Sequence, residues 1–95
     1  MKPEKRQHFF QRSRLEIIAS LLYSAYDGSR KTRLIYKCNL SLSQFNKYTD
    51  FLIQGGLLNK EVDGKGIESF HVTEKGKAFI KDYEKIMKNL EKMQI

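Results

Sequence analysis

Residues 31–72 read KTRLIYKCNLSLSQFNKYTDFLIQGGLLNKEVDGKGIESFHV, and this stretch decides the fold. Its pivot is Asn39-Leu40-Ser41. Asn accepts the left-handed backbone at which a helix stops, Leu40 supplies an apolar plug, and Ser41 with Gln44 makes the S-x-x-Q capping box that opens the next helix. Upstream, Leu34, Ile35 and Cys38 give one apolar face to a short helix from about Lys31 to Cys38 that exposes Arg33 and Lys37. Downstream, Phe45, Tyr48 and Leu52 form the inner stripe of a helix from Leu42 to about Gln54, closed by Gly55-Gly56. Two helices joined by so short a turn cross steeply, and one of them projects from the domain.

Working outward, Leu57–Val62 and Ile67–Val72 are β-prone runs separated by Asp63-Gly64-Lys65-Gly66, a hairpin signal because such a turn needs positive φ. Phe70 and Val72 are expected to face the core with Leu57 and Leu58, leaving Ser69 and His71 toward solvent. On the other side, Ser13 and Glu16 make a second capping box. It opens a helix whose apolar positions Leu15, Ile18, Leu22 and Ala25, flanked by Ile17 and Leu21, keep helical spacing up to Asp27-Gly28. Thr73 caps a final helix in which Gly76 is tolerated. Helix, helix-turn-helix, hairpin and helix in this order form a winged helix-turn-helix, so the fold class is mainly α with a small β-hairpin.

The final helix carries a second pattern. Phe79, Tyr83, Ile86, Leu90 and Met93 follow each other at four, three, four and three residues, an a/d heptad seam widened by Ile80 and Met87. A helix of about 20 residues is roughly 30 Å long, more than so small a domain covers with its own surface. These seven residues are therefore expected to pair two copies in a two-helix coiled coil, the rival being a helix folded back entirely onto its own domain. The chain divides into a basic tail at 1–12, in which Phe9-Phe10 is the one apolar pair, a winged-helix domain at 13–73 and a dimerisation helix at 74–95.

Charge points to the partner. The net charge is +7, and residues 1–47 carry all of it, with ten Lys or Arg against Glu4, Glu16 and Asp27; the remainder is neutral. Between Ser29 and Lys47 five basic residues stand without one Asp or Glu. Such asymmetry beside a helix-turn-helix implies a polyanion, here duplex DNA. In that arrangement the projecting helix enters the major groove with its N-terminal residues nearest the bases. Gln44 is the candidate for a paired contact with adenine, Lys47 for guanine or phosphate, and Ser41 and Ser43 for phosphate at the helix start. Arg30, Lys31, Thr32, Arg33 and Lys37 line the approach as phosphate contacts, and Lys65 sits at the hairpin tip. Glu61, Asp63 and Glu68 weaken the hairpin as a phosphate binder, which ranks Lys65 below Arg33. Tyr36 is a candidate to stack on a sugar or to pack, and packing is the expected role.

The residues Ser13-Arg14-Leu15-Glu16-Ile17-Ile18, Lys31-Thr32-Arg33-Leu34-Ile35-Tyr36 leading to Asn39-Leu40-Ser41, Gly56-Leu57-Leu58 and Val72-Thr73-Glu74-Lys75-Gly76 carry a family likeness. Over Ser13 to about Tyr83 the sequence resembles the small archaeal winged-helix proteins typified by the ten-kilodalton chromatin proteins of Sulfolobus and related predicted transcriptional regulators. That resemblance implies a homodimer joined by an antiparallel coiled coil of C-terminal helices, with winged-helix domains that bind duplex DNA. Here the N-terminal extension is longer and the final helix shorter than in the family.

Other function classes find less support. His8 lies in the tail and His71 in the wing, and no metal-ligand spacing, Gly-rich phosphate loop or nucleophile motif occurs, so neither catalysis nor a cofactor is expected. A winged-helix protein–protein adaptor is the rival reading, but an adaptor needs no acid-free basic run. RNA binding stays open, although no aromatic platform for single strands is evident. Cys38 is the single cysteine, which excludes an intrachain disulfide and suits a reducing compartment. With no apolar run of the roughly 20 residues that span a bilayer, a cytoplasmic, nucleoid-associated protein is expected.

Overall fold

The computed structural model describes residues 13–93. The basic tail with Phe9 and Phe10 lies outside them. The elements are α1 (Arg14–Ser24), β1 (Ser29–Arg30), α2 (Lys31–Cys38), α3 (Leu42–Gln54), β2 (Leu58–Val62), β3 (Glu68–Val72) and α4 (Glu74–Met93).

Both capping boxes form. Ser13 Oγ accepts the Glu16 N–H at 3.1 Å while the Ser13 N–H donates to Glu16 Oε1 at 2.9 Å; Ser41 and Gln44 repeat the exchange at 3.1 and 3.0 Å. Each box satisfies two of the donors that a helix start leaves without a partner. The stops are equally specific. Asn39 adopts φ 54°, and the Leu40 and Asn39 N–H groups donate back to the Ile35 and Tyr36 carbonyls. Gly56, at φ 78°, lets Leu57 and Gly56 donate in the same way to Leu52 and Ile53. Both ends are Schellman closures, and each hands the chain to a residue the core wants, Leu40 after the first and Leu58 after the second.

The sheet has three strands rather than the two of a lone hairpin, in the order β1-β3-β2, all antiparallel. Ser29 pairs with Phe70 and Arg30 with Ser69. A two-residue strand has no periodicity to read, and its pairing comes from the return of β3. The hairpin tip takes its positive φ at Gly66, as a turn of this kind requires. The Gly66 N–H closes the turn on the Asp63 carbonyl at 3.0 Å.

The core joins Ile17, Leu21, Leu22 and Ala25 of the first helical segment, Leu34, Cys38 and Leu40, Phe45 and Leu52 of α3, Leu58, Phe70 and Val72 of the sheet, and Ile80 of α4. Phe45 meets Phe70 edge to face, with ring centroids 5.3 Å apart, which fixes α3 on the sheet. The buried face of α1 is centred on Ile17, Leu21 and Leu22; Leu15, placed in the inner stripe by its spacing, is 46% exposed. Thr49 is buried, its hydroxyl bonded to the Phe45 carbonyl at 2.8 Å, so a polar residue completes the stripe of α3.

Helix α4 begins with Thr73, whose hydroxyl accepts the Gly76 N–H at 3.0 Å and donates to the Gly56 carbonyl at 2.6 Å. Gly76 is required here. A Cβ at that position would run into the Leu57 carbonyl oxygen, so the absent side chain lets the helix lie against the backbone entering β2. Ile80 is in the core and Phe79 packs against it, so these two belong to their own domain and not to a seam open to a partner. The Tyr23 hydroxyl donates to Glu84 Oε2 at 2.7 Å and ties α4 to α1. Burial and the neighbouring carboxylate raise the Tyr23 hydroxyl to about 12. Beyond this tie every residue from Glu84 to Met93 is exposed, among them Ile86, Met87, Leu90 and Met93.

Candidate nucleic-acid interface

Two helix starts and a hairpin tip assemble the candidate surface. At α3 the residues facing solvent through the first turns are Leu42, Ser43, Gln44, Asn46 and Lys47. Gln44 is less available than its sequence position suggests. A paired contact with adenine needs the side-chain amide to donate and accept at once. Its acceptor, Oε1, already holds the Ser41 N–H, which leaves one lone pair of that oxygen for a base. Ser41 is committed to the same cap through its hydroxyl oxygen. Asn46, not singled out from sequence, stands exposed three residues after Ser43. The signal was the i, i+3 spacing from the capped start, masked by attention to charge.

The expected phosphate contacts fall into two neighbouring settings. Arg30, Lys31 and Thr32 at the start of α2 share a groove of about 450 Å³ with Gly66, Ile67 and Glu68 of the wing. Arg30, Thr32 and Arg33 also border a second groove with Tyr23, Asp27 and Gly28. The first turn of α2 has no side-chain cap, since Arg30 at its N-cap makes no such hydrogen bond. Its leading N–H groups therefore favour negative charge. Lys37 lies exposed in the last turn of α2, where a cation also complements the helix dipole. Tyr36 does not pack: it is 85% exposed between Arg33 and Lys37, because the buried face of α2 is used up by Leu34 and Cys38. Lys47 sits apart from α2, bordering a cavity of about 170 Å³ with Arg14, Ile18, Tyr48 and Phe51.

The wing carries charge of both signs. Asp63 Oδ1 accepts the Lys65 N–H at 2.8 Å and the Ile67 N–H at 3.0 Å. These bonds, that from Ile67 foremost, hold its carboxyl below the usual carboxylate range, and the Arg30 charge adds to the effect. Asp63 is therefore a turn-former that keeps Lys65 at the exposed tip. Glu61 faces His71, Oε1 to Nε2 at 3.3 Å. His71 is only half on the solvent side, because its ring lies against Gly28, whose φ of 96° and missing Cβ make room for it. Among the described residues no group of three metal-ligating side chains occurs. Among the described residues no helix is long and apolar enough to cross a membrane.

A family model described as winged helix-turn-helix matches residues 11–92, nearly the whole chain. The chain belongs to the winged helix-turn-helix family. It is 37% identical over 75 residues to an uncharacterised protein of Methanocaldococcus jannaschii, a match covering 78% of this chain and 72% of that protein. Among solved structures it is similar to Sso10a-2, a DNA-binding protein from Sulfolobus solfataricus, at TM-score 0.71 and 29% identity, with 87% of this chain and 90% of the other aligned. The Staphylococcus aureus transcription regulator MepR aligns at TM-score 0.75 over 96% of this chain and 68% of its own, and at 15% identity that likeness concerns the fold. The winged helix-turn-helix fixes which end of α3 projects and where the wing stands relative to it.

Proposed function

We propose that this winged helix-turn-helix protein is a homodimer that binds double-stranded DNA, as a transcriptional regulator or chromatin-associated protein, without catalytic activity. One observation carries the reading. The acid-free run from Ser29 to Lys47 folds into β1, α2 and α3 and leaves Arg30, Arg33, Lys37 and Lys47 exposed along the helix-turn-helix and the strand that leads into it. The description of Sso10a-2 as DNA-binding supports the same reading.

In this account Ser43, Asn46 and Lys47 approach base edges, with Gln44 contributing its amide hydrogens while its oxygen keeps the cap. Arg30, Lys31, Thr32, Arg33, Lys37 and Ser41 hold phosphates, and Lys65 reaches the backbone beside the neighbouring minor groove. The exposed face of α4 formed by Ile86, Met87, Leu90 and Met93, with half-buried Tyr83 at its root, pairs two copies as an antiparallel coiled coil and sets the two DNA-binding surfaces at opposite ends of the dimer. A DNA partner places the protein with the nucleoid.

Fluorescence anisotropy with specific and random duplexes at two salt concentrations tests the proposal. Affinity should fall with salt at a log–log slope of about −0.9 per phosphate neutralised, and Arg33→Ala should make the slope shallower by about that amount on every sequence. Asn46→Ala should instead alter the ranking of sequences. No binding at low salt would remove the proposal.

A further inference from the structure

We infer that Glu68 sets the strength of DNA binding: in the free protein its carboxylate engages Lys31 and Lys60, and DNA phosphate must displace it to recruit them. The inference rests on the DNA-binding reading above and adds a residue that opposes binding from inside the interface.

The geometry follows from strand register. Leu58 lies opposite Val72 and Lys60 opposite Phe70, so these side chains share one face of the sheet, and Glu68 continues that face two residues before Phe70. Phe70 and Val72 are buried on it. Further toward the wing the same face leaves the core and opens into the groove shared with the start of α2. Glu68 stands at that exit. One of its oxygens is 3.8 Å from Lys31 Nζ and the other 3.9 Å from Lys60 Nζ, so a single carboxylate bridges a lysine of α2 and a lysine of β2. All three side chains are a third to a half exposed.

Pairs as long and as wet as these add little to folding stability. Their effect on an incoming polyanion is larger. Lys31 and the uncapped start of α2 line the groove that a phosphate backbone would follow, Lys60 stands beside its Glu68, and the bridging carboxylate cancels one of the two ammonium charges. The wing carboxylates differ in this respect: Asp63 is held by backbone N–H groups of its own turn, and Glu61 faces His71 on the opposite side of the sheet. Lys60 was not among the residues singled out from sequence, because only the register brings it beside Lys31.

Duplex affinity and its salt dependence in the full chain test the inference, comparing wild type with Glu68→Gln and with Glu91→Gln, the same charge change on the remote end of α4. Glu68→Gln should tighten binding about three- to ten-fold at low salt, as expected for freeing one ammonium charge to act on a phosphate some 5 Å away in a wet groove. Its slope should steepen by up to about 0.9 for each lysine released. Glu91→Gln should have a much smaller effect, and the unfolding midpoint of Glu68→Gln should match wild type. Adding Lys31→Gln and Lys60→Gln to Glu68→Gln should abolish the gain. A gain no larger than that of Glu91→Gln, or one that survives loss of both lysines, overturns the role of Glu68. Wild type that binds no duplex overturns the DNA-binding reading itself and this inference with it.

Discussion

The two halves of α4 share one heptad pattern and have different surroundings. From Glu74 to Tyr83 the helix belongs to the domain: Gly76 lies against the Leu57 backbone, Ile80 is 5% exposed and Phe79 rests on the core. From Glu84 to Met93 the same spacing of apolar residues continues without burial, and Ile86 and Met93 are more than half exposed. Periodicity tells which face of a helix seeks cover. It does not tell what supplies the cover, and a single helix here takes it first from its own chain and then, in our account, from another.

Breaking the inner half should have the largest effect. Ile80→Ala empties a fully packed site and should lower unfolding free energy by about 2–5 kcal/mol in denaturant melts. Gly76→Ala gains helix propensity but forces a methyl into the Leu57 carbonyl, and a net loss of about 1–3 kcal/mol is expected by the same measurement. Leu90→Glu, in the outer half, should leave the far-ultraviolet spectrum intact. It should halve the mass seen by sedimentation and remove the concentration dependence of the melting temperature. An unchanged mass would detach the outer half from dimerisation.

The smallest effect lies at the boundary between the halves. Tyr23→Phe removes the hydroxyl that donates to Glu84 and should cost less than about 1 kcal/mol at neutral pH, since the bond is wet. The pH dependence is the sharper readout. Because the folded-state value, about 12, exceeds the ordinary value of 10, the neutral hydroxyl stabilises the fold below pH 10, and this contribution is lost as pH rises through 12. Tyr23→Phe should lack that alkaline loss in a pH series of melts.

Much of this was legible in the chain, for identifiable reasons. Ser13/Glu16, Ser41/Gln44, Asn39 and Gly55-Gly56 act through backbone groups within a few residues, so composition alone locates the helix ends. Leu34, Cys38, Phe45, Leu52 and Phe70 follow from periodicity. What escaped depends on partners distant in sequence. β1 exists because β3 returns beside Ser29, Gly76 is needed because Leu57 lies across it, and Lys60 meets Lys31 through a carboxylate of a third segment. At the candidate site the charge run was plain, but the competition for Gln44 was not. The Gln44 oxygen completes the cap, so a base would have to share it through the second lone pair. Tyr36 was misplaced for a simpler cause: an eight-residue helix has room to bury only one narrow face.

Amide chemical-shift mapping of the full chain during titration with a short duplex tests the central claim most directly. The account predicts perturbations concentrated at Arg30–Arg33, Ser41–Lys47 and Asp63–Gly66, with the outer half of α4 unaffected. Perturbations centred on residues 84–93, or none at low salt, would contradict it.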